Sequence, residues 1–137
     1  MPAVSYTLLD RHKSTTEALR GKAVLVSFWA TNCAVCVADM PRIISPQRHF
    51  EVRDFDTLAV AMRYDAPANV ARFAESHQLP FGVAIDDMLE IARCFGGIEL
   101  TRTAFLLDER GNTVERYVGP PDFAALSQLI DMLLAEA

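Results

Sequence analysis

The chain is poor in several features that would mark a specialised architecture. It holds only three cysteines in 137 residues, too few for a disulfide-stapled scaffold. It has no basic run, and its formal charge is −5. A nucleic acid or an anionic membrane is therefore not an expected partner. No apolar run approaches the roughly 20 residues of a membrane span. The first residues, Met1-Pro2-Ala3-Val4-Ser5, lack both a basic region and an apolar region, so no signal peptide is visible. Either the chain is cytoplasmic, with Met1 as its native start, or a targeting segment has been removed. No internal repeat, low-complexity tract or linker interrupts it. What remains is an ordinary globular composition, 51% hydrophobic and 23% charged, long enough for one domain, residues 1–137, with a sizeable core.

The chemistry concentrates in one stretch. An apolar run at residues 23–26 leads into Ser27-Phe28-Trp29-Ala30-Thr31-Asn32-Cys33-Ala34-Val35-Cys36. Behind it Val37, Met40, Ile43 and Ile44 recur at helical spacing. A buried strand thus runs into a short turn, and a Cys-x-x-Cys pair opens a helix. Cysteines three apart on a first helical turn sit on neighbouring faces. Their Cα atoms then fall within the roughly 4.4–6.8 Å that a disulfide spans. The first sulfur lies at the positive end of the helix dipole, which favours the attacking thiolate. Zinc is the other chemistry such a pair can serve, but it needs two more ligands. Cys94, His12, His49 and His77 form no second close pair.

These residues carry a resemblance. The run from Gly21-Lys22 through Trp29-Ala30-Thr31 and the cysteine pair to Asp39-Met40-Pro41 resembles the thioredoxin superfamily, in particular its TlpA/ResA/DsbE-like bacterial thiol–disulfide oxidoreductases. The stretch Leu79-Pro80-Phe81 to Asp86 and the hairpin from Phe105 to Gly111 extend it over nearly the whole chain. The resemblance implies an α/β, thioredoxin-like fold, a mixed central sheet with helices on both faces. It implies Cys33 as nucleophile and Cys36 as resolving thiol, with no cofactor beyond their redox-active disulfide. Partners would be protein thiols or disulfides and an upstream thiol donor or acceptor, met by a monomer. Relatives of this kind act in the bacterial periplasm or cell envelope, which is the expected location if a targeting segment was removed.

The remaining chain gives these expectations. Residues 5–9 read as a strand, and Ser14-Thr15-Thr16-Glu17 as the cap of a brief helical turn to Leu19. After the strand at 23–30, the helix from Cys33 should kink at Pro41. Ser45-Pro46 is a second candidate break, since Ser-Pro also starts helices, and the helix end stays open between Ile44 and Phe50. A strand at 57–62 precedes a helix started by Asp65-Ala66-Pro67 and ended near His77-Gln78. Residues 81–85 are extended, and Asp86-Asp87 cap a helix to Cys94, stopped by Gly96-Gly97. Strands at 104–107 and 113–118 flank a hairpin turn, and a last helix buries Phe123, Leu126, Leu129, Ile130, Leu133 and Leu134 on one side.

Around the cysteines, Trp29 should pack beside the disulfide, while Asn32, Ala34 and Val35 tune the rim and the sulfur. Ser27 stands where thioredoxins carry a buried carboxylate, so the proton of Cys36 must leave by water or another group. Counting back from Gly111 places Arg102, between Thr101 and Thr103, where relatives carry a cis-proline facing the disulfide. A cis bond there would cost roughly 2.5–4 kcal/mol without proline, so trans is expected. Cys94 reads as a small buried hydrophobe, the histidines as surface or capping groups, and Asp39, Asp86 and Asp87 as ordinary helix-end residues. The rival function is a redox-inactive thioredoxin-like peptide-binding module; the intact cysteine pair favours the enzyme. A peroxidase is disfavoured, because Ala30 stands where it needs a hydroxyl.

Overall fold

The computed structural model describes residues 5–8, 13–15, 21–31, 33–50, 52–62, 65–86, 91, 93, 103–119 and 122–135. Its centre is β3 (Ala23–Trp29), every residue of which is buried. The two sides of this strand feed different cores, as period-two side chains require. Ala23, Leu25 and Trp29 face one cluster, and Val24, Val26 and Phe28 the other. A strand covered on both faces needs a continuous apolar run, which is why no alternation shows in the sequence.

Seven strands are present among the described residues: β1 (Ser5–Thr7), β2 (Lys13–Thr15), β3, β4 (Phe55–Ala61), β5 (Gly82–Ile85), β6 (Thr103–Leu107) and β7 (Thr113–Val118). The main sheet has the order β5-β4-β3-β6-β7. Strands β3, β4 and β5 are parallel, whereas β6 and β7 run antiparallel. Helices α1 (Ala34–Phe50) and α2 (Pro67–Ser76) cross between successive parallel strands. Right-handed crossovers stepping the same way across a sheet put both on one face. There they share a cluster with α3 (Phe123–Ala135), through Met40, Val70, Leu126 and Ile130. Ile91, helical in conformation, packs into the opposite cluster with Phe105 and Leu107. The fold is thioredoxin-like, a mixed sheet with helical residues on both faces.

In two places tertiary packing decides against, or beyond, the local pattern. Thr15, read as part of a helix cap, is instead in β2, where it pairs with Ser5. The hydroxyl-rich run fits a cap locally, but pairing with β1 fixes the backbone as extended. The end of α1, open between Ile44 and Phe50 in the sequence, falls at Phe50, and the helix runs unbroken through Pro41 and Pro46. Cys36, Met40, Ile43, Gln47 and Phe50 are all at most 7% exposed and form one stripe at helical spacing. An internal proline costs about 3 kcal/mol, whereas each large side chain buried returns roughly 1.5–3 kcal/mol. Packing along the stripe outweighs the prolines.

The hairpin turn follows its composition. The Asp108 carboxylate accepts the N–H groups of Arg110 and Asn112 at 3.0 and 2.9 Å. Gly111 takes a φ of 84°, which glycine adopts without strain. Asp122 likewise caps α3, accepting from Ala124 and Ala125 at 3.1 and 3.2 Å.

Candidate redox site

The end of β3 meets the end of β4 here: the Met62 N–H donates to Trp29 O at 2.9 Å, and Asp65 N–H to Met62 O at 3.0 Å. After Trp29 the chain makes a tight turn, closed by Cys33 N–H to Ala30 O at 3.2 Å. Cys33 O then accepts the N–H of Val37 at 3.1 Å, so Cys33 caps α1 with its own carbonyl. Its side chain is half-buried, and that of Cys36, one turn in, is 5% exposed. The two sulfurs are joined as a disulfide, with Cα atoms 5.2 Å apart. The Cys36 N–H also points to Cys33 Sγ at 3.2 Å. This is one of the helix-end donors without an intrahelical partner. The arrangement places a half-buried sulfur at a positive helix end and a shielded second sulfur within bonding range.

Behind Cys36 lies a cavity of about 30 Å³, lined by Ser27, Trp29, Cys36, Asp39, Ala104 and Phe123 among others. Such a volume holds one water. Asp39 is therefore more than the helix-end residue read from the sequence: it faces the cavity with the resolving-position sulfur. The spacing held a signal, since Asp39 follows Cys36 by three residues and so shares its helix face.

Trp29 is 2% exposed and shares its core cluster with Cys36. Its ring lies 5.0 Å from that of Phe73, and its Nε1 finds no acceptor among the described residues. Ala34 is the exposed first residue of α1. Val35 is helical in backbone, with its side chain outside the described residues. Thr103 is buried at the start of β6, opposite Phe28. Asn32, Thr101 and Arg102 lie outside the described residues, as do His12, Asp87, Cys94, Gly96 and Gly97.

One contact escaped the sequence reading. Asp65 was assigned to the start of α2, but that helix begins with Ala66 as its cap residue and uses no side-chain cap. The Asp65 carboxylate, 5% exposed, instead accepts Thr31 N–H on Oδ2 at 2.6 Å and Thr31 Oγ1–H on Oδ1 at 2.7 Å. Thirty-four positions separate the two residues, and no local pattern encodes such a pairing.

Elsewhere the two described histidines, His49 and His77, lie at helix ends. His77 stacks on Phe73 with centroids 3.9 Å apart and lies 3.1 Å from the Phe73 carbonyl through Nδ1. His49 is exposed. No group of three or more His, Cys, Asp or Glu suited to a metal ion occurs among the described residues.

The Redoxin family model matches residues 1–130. The chain belongs to the Redoxin family. Within it, the thiol–disulfide oxidoreductase ResA of Halalkalibacterium halodurans is 26% identical over 98% of this chain and 77% of its own length. Among solved structures, a Neisseria meningitidis protein assigned as a thioredoxin superposes with a TM-score of 0.90 at 32% identity, covering 99% of this chain and 90% of its own. A thiol:disulfide interchange protein of the thioredoxin family from Chlorobium tepidum gives 0.84 at 26% identity, over 97% and 94% of the respective chains. The Redoxin chain described here is a thioredoxin-like thiol–disulfide oxidoreductase.

Proposed function

We propose that the chain exchanges its Cys33–Cys36 pair with cysteines of partner proteins, Cys33 attacking and Cys36 resolving. The observation that carries this is the disulfide at the head of α1, with the Cys36 N–H directed at the Cys33 sulfur. In the reducing direction the Cys33 thiolate attacks a partner disulfide. A Cys33–partner bond forms, and the partner's other sulfur leaves as thiolate. Cys36 then gives up its proton and attacks Cys33. The Cys33–Cys36 bond forms, the second partner sulfur is released, and the partner has gained two electrons. An upstream dithiol returns the pair to its reduced state by the same steps.

With no carboxylate at Ser27, the route for the Cys36 proton runs through Asp39 and a water of the size the cavity between them admits. The polypeptide acts as a single domain and as a monomer. No helix among the described residues is long and apolar enough to cross a membrane. The resemblance to envelope oxidoreductases supports a bacterial extracytoplasmic setting.

Catalysed reduction of insulin by dithiothreitol tests the reading. The wild type should accelerate precipitation of the insulin chains over dithiothreitol alone. Asp39→Asn should lower kcat about a hundredfold, the lower end of the range for a single general base, and leave KM little changed. No acceleration by the wild type would favour the redox-inactive peptide-binding module. An Asp39→Asn variant as fast as the wild type would remove Asp39 from the proton route.

A further inference from the structure

The contact between Asp65 and Thr31 is not part of the exchange chemistry, yet it sits at the base of the redox turn. Thr31 is the second residue of the turn closed by the hydrogen bond from Cys33 N–H to Ala30 O. Both of its donors, one main-chain and one side-chain, end on a single carboxylate, one on each oxygen. A carboxylate 5% exposed is stable there only with its acceptors filled. Charge-assisted hydrogen bonds of this kind are short and directional. The carboxylate is itself fixed, because Asp65 N–H is held by Met62 O, and Met62 N–H by Trp29 O. These hydrogen bonds, with the chain from Trp29 through Ala30 to Thr31, close a ring across the ends of β3 and β4.

We propose that Asp65 is a positioning residue of the redox turn, its two-point hold on Thr31 fixing the backbone from which Cys33 presents its sulfur. The sulfur needs a defined place to profit from the Cys36 N–H, 3.2 Å away. Freeing Thr31 loosens the turn on the side opposite the helix, and the thiolate loses alignment with that donor. The carboxylate acts through geometry rather than charge, because a negative group near a thiolate would oppose it. Geometry and charge therefore predict opposite results for different substitutions.

The inference rests on Cys33 being the attacking sulfur. The test follows Trp29 fluorescence as the reduced protein reacts with oxidised glutathione. Thr31→Val removes the hydroxyl arm and keeps the charge; its rate should fall about fivefold, a modest case of lost orientation. Thr31→Ser restores the hydroxyl and should return to the wild-type rate. Asp65→Asn keeps both contacts, its Oδ1 accepting the Thr31 N–H and its amide donating to the hydroxyl, so it should not be slower than wild type. Asp65→Ala should be slow, and adding Thr31→Val to it should cost nothing more, since residues acting through one contact are not additive.

Wild-type rates in both Thr31→Val and Asp65→Ala would overturn the proposal. So would additive losses in the double variant, or an Asp65→Asn as slow as Asp65→Ala. If Asp65→Ala does not fold, the Thr31→Val and Thr31→Ser pair decides alone. Failure of the underlying reading has a separate signature: glutathione-driven oxidation that persists in Cys33→Ser.

Discussion

Cys33→Ser is expected to abolish disulfide reduction, with a loss of at least about 10³-fold, as for removal of a catalytic nucleophile. Cys36→Ser should behave differently. It keeps the attacking sulfur at the head of α1, so the first step proceeds and the partner stays attached as a mixed disulfide. Intact-mass measurement after mixing with a disulfide substrate reads both outcomes: unmodified Cys33→Ser, and Cys36→Ser carrying one substrate adduct. The proposed roles rest on position, since Cys33 is half-buried at the helix end while Cys36 is 5% exposed. Faster alkylation of Cys36 than of Cys33 in the reduced protein at neutral pH would reverse the assignment.

Trp29→Ala should produce the largest loss of stability among single substitutions at the site. The ring is 2% exposed and packs 5.0 Å from Phe73. Truncating a buried aromatic to alanine costs about 3–5 kcal/mol, through lost burial and the cavity left behind. Trp29→Phe should be far milder, under about 2 kcal/mol, because it retains an aromatic ring and forfeits no hydrogen bond worth the usual ~1 kcal/mol. Nε1 has no acceptor among the described residues to lose. Urea unfolding followed by circular dichroism separates the two variants. Equal losses would mean that the indole nitrogen, rather than the ring's volume, holds the site together.

The parts of this fold legible in the sequence are those set by short spacing. The run at 23–26 has to be a strand covered on both faces, and Cys33 and Cys36 have to meet if a helix starts between them. Asp108 and Gly111 announce their turn through a side-chain acceptor and a positive φ. What escaped was set by distant parts of the chain. Thr15 carries a helix-cap pattern but pairs with Ser5 in β2, and Pro46 sits in a helix that its buried stripe holds together. Asp65 looked like the first residue of α2 because it precedes Ala66-Pro67; its partner Thr31 lies 34 positions away. Asp39 is an intermediate case. Its spacing from Cys36 fixed their shared helix face, but only the packing of β3, β6 and α3 creates the cavity both of them line.

A redox titration of the purified protein, with Trp29 fluorescence and thiol counting at each poise, tests the central claim most directly. The account predicts one two-electron transition, with the count changing by two thiols and the transition lost in either Cys33→Ser or Cys36→Ser. A titration without such a transition, or one that persists when either of these cysteines is replaced, would contradict it.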